Sequence, residues 1–170
     1  IQNTAQDVIT DTRKVLNTAA TDQHDAVLLE VVLFARNVGD DLEAIRQAME
    51  QEMERDRRVF ILGEDVGNYG GAFRVTQGFL EKFGPERIID PPISETGLIG
   101  AAIGASLFGM RPIAELQFID FIACGFNQIV NYAAKSRYRW GGGVPIVIRG
   151  PAGAGVHGGP FHSQSPESYF

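Results

Sequence analysis

Apolar residues recur along the chain at two spacings. Leu42, Ile45, Met49 and Met53 lie three or four apart with charged residues between them, which predicts an amphipathic helix from Leu42. Asp40 or Asp41, in the break "NVGDD", is placed as its N-cap. Short apolar runs then alternate with helix-like stretches. "RVFIL" (58–62), "RIID" (87–90), "RPIAELQF" (111–118) and "VPIVIRG" (144–150) read as strands. "TQGFLEKF" reads as a short helix stopped by Gly84-Pro85, Thr96–Met110 as a second helix and Phe121–Tyr138 as a third. "SPES" opens another, with Ser165 as N-cap and Pro166 in its first turn. Strands alternating with helices predict an α/β fold, a parallel sheet with helices on both faces.

The first 41 residues read differently. "AQDVITDTRKVLNTAA" fits an amphipathic helix, while "AVLLEVVLFA" fits a buried strand or a helix and its periodicity does not decide. This divides the chain into an N-terminal extension of unknown origin (1–41) and a domain over 42–170. On the helix after Glu95, Gly97, Ala101, Ala105 and Gly109 share a stripe with Gly100 and Gly104 beside it. Such a stripe admits close packing within the chain or against a second subunit.

Composition narrows the function classes. At 170 residues with 44% apolar content and a mean hydropathy of −0.05, the chain suits one domain with a real core. A net charge of −6 without a Lys/Arg cluster argues against a nucleic-acid surface. The uncharged run Thr96–Met110 spans 15 residues with four glycines, too short for a membrane span. A single cysteine, Cys124, leaves no internal disulfide and no multi-cysteine metal site. No signal peptide is visible, so the expected compartment is the cytoplasm or an organellar matrix.

Ligands of open parallel sheets bind beyond the carboxyl ends of the strands. Glu64 and Asp65 follow the first of these strands, and Ser94 and Glu95 follow the second. Gln117, Asp120 and Phe121 lie at the end of the third, and a glycine-rich loop carrying His157 and His162 follows the last. Glu95 is the only acid between Asp90 and Glu115. Each also has a plain structural reading. Glu95 could complement a helix N-terminus, worth roughly 0.3–1 kcal/mol. Glu64-Asp65 could be a solvated turn, Phe121 core, Gln117 a satisfied amide and His162 a loop-ordering residue. GxSxG, HExxH and GxxxxGK[ST] are all absent, so hydrolase, zinc-protease and P-loop readings lack support.

"FILGEDVG", "YGGAFRVTQGF", "RIIDPPISETGLIGAAIGAS", "RPIAELQFIDF", "NQIVNYAAKSRYRWGG" and "HSQSPESYF" occur in that order. Over 42–170 they resemble the β subunit of the thiamine-diphosphate-dependent 2-oxo acid dehydrogenases. "AELQFIDF", "AAKSRYR" and "HSQSPE" look most like the branched-chain (2-oxoisovalerate) members, with pyruvate and acetoin relatives similar. The resemblance implies a transketolase-like pyrimidine-binding domain and a role for each of several residues. Glu95 matches the glutamate that hydrogen-bonds a ring nitrogen of the cofactor's aminopyrimidine. That contact favours the imino form, which can take the proton from the thiazolium carbon. Phe121 matches an aromatic position packed on that ring, often Tyr in branched-chain relatives, and Gln117 a glutamine near it. His162 matches the histidine beside the reacting centre, and Glu64 an acid in a polar tunnel linking paired sites.

The family's Gly-Asp-Gly motif with a distal asparagine, which holds diphosphate and magnesium, is absent here and resides on the α subunit. The resemblance therefore implies thiamine diphosphate shared with an α subunit in a heterotetramer, magnesium held mainly by α, and a structural monovalent cation. It further implies a lipoyl-bearing dihydrolipoyl acyltransferase as partner, a small 2-oxo acid as substrate, and a chain covering the N-terminal half of the subunit. The compartment becomes cytoplasmic in a prokaryote and the mitochondrial matrix in a eukaryote. A non-catalytic module of the same fold and a nucleotide-binding α/β domain are the competing readings.

Overall fold

The computed structural model describes residues 28–33 and 38–170. The helix expected within 5–20 lies outside them. In chain order the elements are β1 (Leu28–Leu33), α1 (Val38–Arg55), β2 (Val59–Gly63), α2 (Phe79–Phe83) and β3 (Ile88–Ile89). They continue with α3 (Glu95–Leu107), β4 (Arg111–Glu115), a 3-10 segment (Ile119–Gly125), a π-helical segment (Gln128–Ala133), α4 (Ala134–Trp140) and β5 (Val147–Ala152). Three short 3-10 turns close the chain, the last at Pro166–Tyr169. The five strands form one sheet in the order β1-β5-β4-β2-β3, every pair parallel.

Alternation along each strand creates two cores. Phe60, Leu62, Ala114, Ile146 and Ile148 face α3 and the segments after it, packing with Leu98, Ile99, Ile103, Ile119, Ile122 and Ile129. Val59, Ile61, Ile113 and Val147 face the other way, onto Ile45, Met49 and Met53 of α1 and Phe79 of α2. The expected α/β architecture, with helices on both faces, is therefore present. Within "AVLLEVVLFA", residues 28–33 form a strand: β1 pairs with β5 from Leu28–Val147 to Leu33–Ala152 and covers what would otherwise be a sheet edge.

Several boundaries differ from the sequence reading. Helix α1 starts at Val38, so Asp40 and Asp41 lie inside the helix and not at its N-cap. Helix α2 is confined to Phe79–Phe83 because Gly78 and Gly84 both take positive φ and bracket it. Strand β4 stops at Glu115, short of Phe118. Leu116 still donates its amide to the Arg149 carbonyl at 2.9 Å, and the chain then leaves the sheet at Gln117. The single helix expected over 121–138 is instead 3-10, then π, then α. Its break has a packing cause: a Cβ on Gly125 would lie 2.2 Å from Ile99 Cδ1, so this backbone presses directly on α3. Among the described residues, no helix is long and apolar enough to cross a membrane.

Candidate active site

The strand order places a crevice. The chain runs from β2 outward to β3, returns across β2 to β4, and continues to β5, so its direction reverses between β2 and β4. Gly63 ends β2 in contact with β4, where a Cβ would fall 2.5 Å from the Glu115 carbonyl oxygen. Only glycine lets the two strand ends approach this closely. The loops that leave them then touch: Gln117 Nε2 donates to Asp65 Oδ2 at 2.5 Å.

The loop after β3 clasps the loop after β2. Asp90 accepts the Asp65 amide at 2.9 Å on one carboxylate oxygen and the Gly67 amide at 3.1 Å on the other. A Cβ on Gly67 would come within 2.8 Å of that second oxygen. Asp65 itself takes a left-handed φ of 62°, a conformation that the Asp90 clasp supports. This fold of the loop turns Glu64 inward. It is 3% exposed and accepts the Ser94 amide at 3.1 Å. Ser94 also caps α3, its hydroxyl accepting from the Gly97 amide at 3.3 Å, and Glu95 follows as the half-buried first residue of the helix.

Burial pushes the Glu64 carboxyl above its ordinary value, and the nearby negative charge of Glu95 pushes it further. The Ser94 amide opposes that shift, and Asp65 and Asp90 add to it. Because the folded pKa lies above the unfolded one, the folded chain binds this proton more tightly. Stability is therefore lost as pH rises through the window from 4.5 upward. Glu64→Gln keeps an oxygen for the Ser94 amide and removes the charge. We expect a higher melting temperature than wild type at pH 7 and coincidence of the two below about pH 4. An equal offset at both pH values would contradict the assignment.

A second group of side chains lies beyond β4 and β5. The His162 ring packs edge-on against Phe118 at 4.6 Å and against Phe121 at 5.5 Å between centroids. Phe118 is the hub of this cluster, meeting Phe121 and Phe73, each at 6.0 Å. Asp120, 8% exposed, accepts the Gln164 amide at 3.0 Å. His157 is exposed with a left-handed φ of 56°.

The residues singled out in the sequence thus gather as two connected groups. Glu64 and Glu95 share one electrostatic environment, to which Gln117 is joined through Asp65; Phe121 and His162 form the other. Sequence reasoning missed Asp90 and Phe118, and gave Ser94 and Asp120 no role. An acid directly before Pro91-Pro92 at a strand end was an available signal for Asp90; nothing local marks Phe118. A half-buried carboxylate at a helix start and an aromatic wall suit a flat heteroaromatic ring with polar nitrogens. Glu95 and the Phe121–His162 cluster are of the residue types that an aminopyrimidine ring takes up, each within its own group. Among the described residues no group of three or more His, Cys, Asp or Glu is arranged to hold a metal.

Comparison with known proteins agrees with the α/β fold. Residues 42–170 match the family model described as "Transketolase, pyrimidine binding domain". The chain belongs to the transketolase pyrimidine-binding-domain family. As a member of that family it is 55% identical over 133 residues to the 2-oxoisovalerate dehydrogenase subunit beta of Bacillus subtilis, a match covering 76% of this chain and 40% of that one. The subunit of the same name from Pseudomonas aeruginosa is 47% identical over 131 residues, covering 76% and 37%. The pyruvate dehydrogenase E1 component subunit beta of Chaetosphaeridium globosum is 48% identical over 145 residues, covering 84% and 42%. The chain spans about two fifths of the length of these relatives. The match of this pyrimidine-binding domain begins at Leu42, while one strand of its sheet, β1, comes from upstream.

Proposed function

We propose that this chain forms the aminopyrimidine side of a thiamine-diphosphate site in the β subunit of a branched-chain 2-oxo acid dehydrogenase. The observation that carries the reading is the position of Glu95. It is the first residue of α3, half-buried, beside a buried Glu64 whose carboxyl is pushed up partly by Glu95 itself. When bound, thiamine diphosphate supplies the electron sink that decarboxylation of a 2-oxo acid needs. The residues of this chain bind and orient. Glu95 meets a ring nitrogen of the aminopyrimidine and holds a proton there. Glu64, its carboxyl raised by burial and by the charge of Glu95, stands beside that ring as a second acid. Phe121 packs on the ring face, and Gln117, held by Asp65, lies at its edge.

His162 stands where a substrate carboxylate or an incoming lipoyl group arrives. The diphosphate, with its magnesium, is assigned to an α subunit, so that the site is complete only in a heterotetramer; a structural monovalent cation is part of the same reading. A lipoyl-bearing acyltransferase takes the acyl product. The compartment is cytoplasmic in a prokaryote and the mitochondrial matrix in a eukaryote. His162→Ala in the assembled enzyme is expected to lower lipoyl acylation about 10²-fold, the scale for losing a group that positions a reacting partner, and to leave the cofactor dissociation constant unchanged. Rapid-quench measurement of acyl transfer checks it.

Calorimetry with thiamine diphosphate and magnesium, with and without the candidate α chain, tests the whole reading. Binding that needs both chains supports it. No binding in either case favours a non-catalytic module of this fold. Similarity to the pyruvate dehydrogenase subunit of C. globosum keeps a second substrate reading alive. Relative kcat/KM for 2-oxoisovalerate and pyruvate separates the two.

A further inference from the structure

We infer that Asp120 is a positioning residue for His162, acting through the backbone of Gln164; the catalytic meaning of this inference rests on the function proposed above. His162 lies in an exposed loop between β5 and Pro166 and needs something to hold it. The loop is closed at its neck by Gly153, whose amide donates to the Gln164 carbonyl at 2.9 Å. Its internal bonds run from the Gly158 amide to Ser163 Oγ at 2.7 Å and from Gln164 Nε2 to the Pro160 carbonyl at 2.8 Å. Among the described residues, the hydrogen bond that ties residues 155–165 to an element outside the loop and its neck is the one from the Gln164 amide to Asp120 Oδ1, at 3.0 Å.

Asp120 sits between the two aromatic residues that pack on the His162 ring, Phe118 and Phe121. One short segment at the end of β4 thus grips the imidazole by two rings and fixes the backbone two residues further on. Gly158 closes the loop from behind, since a Cβ there would lie 2.5 Å from His162 Cβ. The carboxylate is a poor choice for plain packing. Among the described residues Asp120 Oδ2 is buried without a hydrogen-bond partner, and a buried acid half used in this way is an unfavourable structural element. Violations of this kind belong at functional positions.

The test has one arm in the 170-residue chain and one in the enzyme assembled with its α chain. In the chain, NMR is expected to show a ring-shifted His162 imidazole and a slowly exchanging Gln164 amide. Asp120→Ala moves the imidazole resonance toward the free-histidine position and speeds Gln164 exchange, whereas Asp120→Asn, which keeps an acceptor oxygen, preserves both. In the assembled enzyme, Asp120→Ala lowers kcat for lipoyl acylation about tenfold with cofactor affinity unchanged. The Asp120→Ala/His162→Ala double variant is no slower than His162→Ala alone. Additive losses, or an imidazole resonance unmoved by Asp120→Ala, overturn the inference. Should Asp120→Ala not fold, Gln164 exchange in the wild type and in Asp120→Asn decides: slow in both supports the inference, and free exchange in the wild type overturns it. An assembled enzyme without thiamine-diphosphate turnover overturns the proposed function and leaves the NMR arm readable. Turnover that Asp120→Ala does not change overturns the positioning role alone.

Discussion

Glu95→Gln in the assembled enzyme is expected to lower turnover by about 10³-fold, with the subunits still assembling normally. The magnitude lies within the range for a positioned proton-transfer group. The substitution is nearly isosteric and leaves the helix start intact. Ser94 continues to cap α3 through the Gly97 amide, and the Ser94 amide still reaches Glu64. What is lost is the capacity to hold a proton at one atom. A glutamine oxygen accepts a hydrogen bond but cannot take a proton at neutral pH, so orientation survives and the proton step does not. Glu64 offers an internal control. With the Glu95 charge gone, one cause of its upward shift disappears, and the Glu64 carboxyl should titrate lower in the variant. Steady-state turnover, size-exclusion profile and carbon-13 titration of Glu64 together check the prediction. Near-normal turnover with a correctly assembled enzyme would exclude Glu95 as the proton-holding group.

The candidate site was legible because the order of the strands could be read, although β4 ends at Glu115, short of the expected Phe118. Val59–Gly63 is wholly buried and apolar, and such a run carries its own signal; Val147–Ala152 is equally buried but includes the ion-paired Arg149. Once the sheet is parallel, residues after each strand fall on one edge, which singled out Glu64, Glu95, Gln117 and His162 as candidates. The isolation of Glu95 in an uncharged stretch was visible without any fold. The long helix expected over 121–138 failed for a non-local reason. Gly125 reads as a tolerable helix residue, and its close contact with Ile99, far off in sequence, lies where the 3-10 segment ends before the π segment. Asp90 and Asp120 escaped for a related reason. Each acts on the backbone of a distant loop, at Asp65 and Gly67 in one case and at Gln164 in the other. Residue type alone shows what a side chain can do, not which amide lies opposite.

The second large effect is on stability and lies beneath the same edge. Glu115 and Arg149 form an ion pair across β4 and β5, Arg149 Nη1 donating to Glu115 Oε2, with the residues 6% and 2% exposed. They border a cavity of about 10 Å³, also lined by Phe73, Gln117 and Pro151, with room for at most one water. Among the described residues Arg149 Nε has no hydrogen-bond partner, and the carboxylate that neutralises the guanidinium there is Glu115. Glu115→Leu therefore strands a buried cation. The expected loss is about 3–5 kcal/mol in urea denaturation, a large share of the roughly 5–15 kcal/mol that holds a domain folded. The Glu115→Leu/Arg149→Met double variant should recover most of that loss, because two apolar side chains fill the space without a desolvated charge. If the double variant were instead as unstable as the sum of the single ones, the pair would be a packing element and not a charge-neutralising one. Recovery would carry a functional corollary. Gln117 leaves the sheet two residues after Glu115, so a chain stable without the pair would show whether that pair also sets the Gln117–Asp65 contact at the crevice. Turnover of the double variant, measured at equal stability, reads that contact directly.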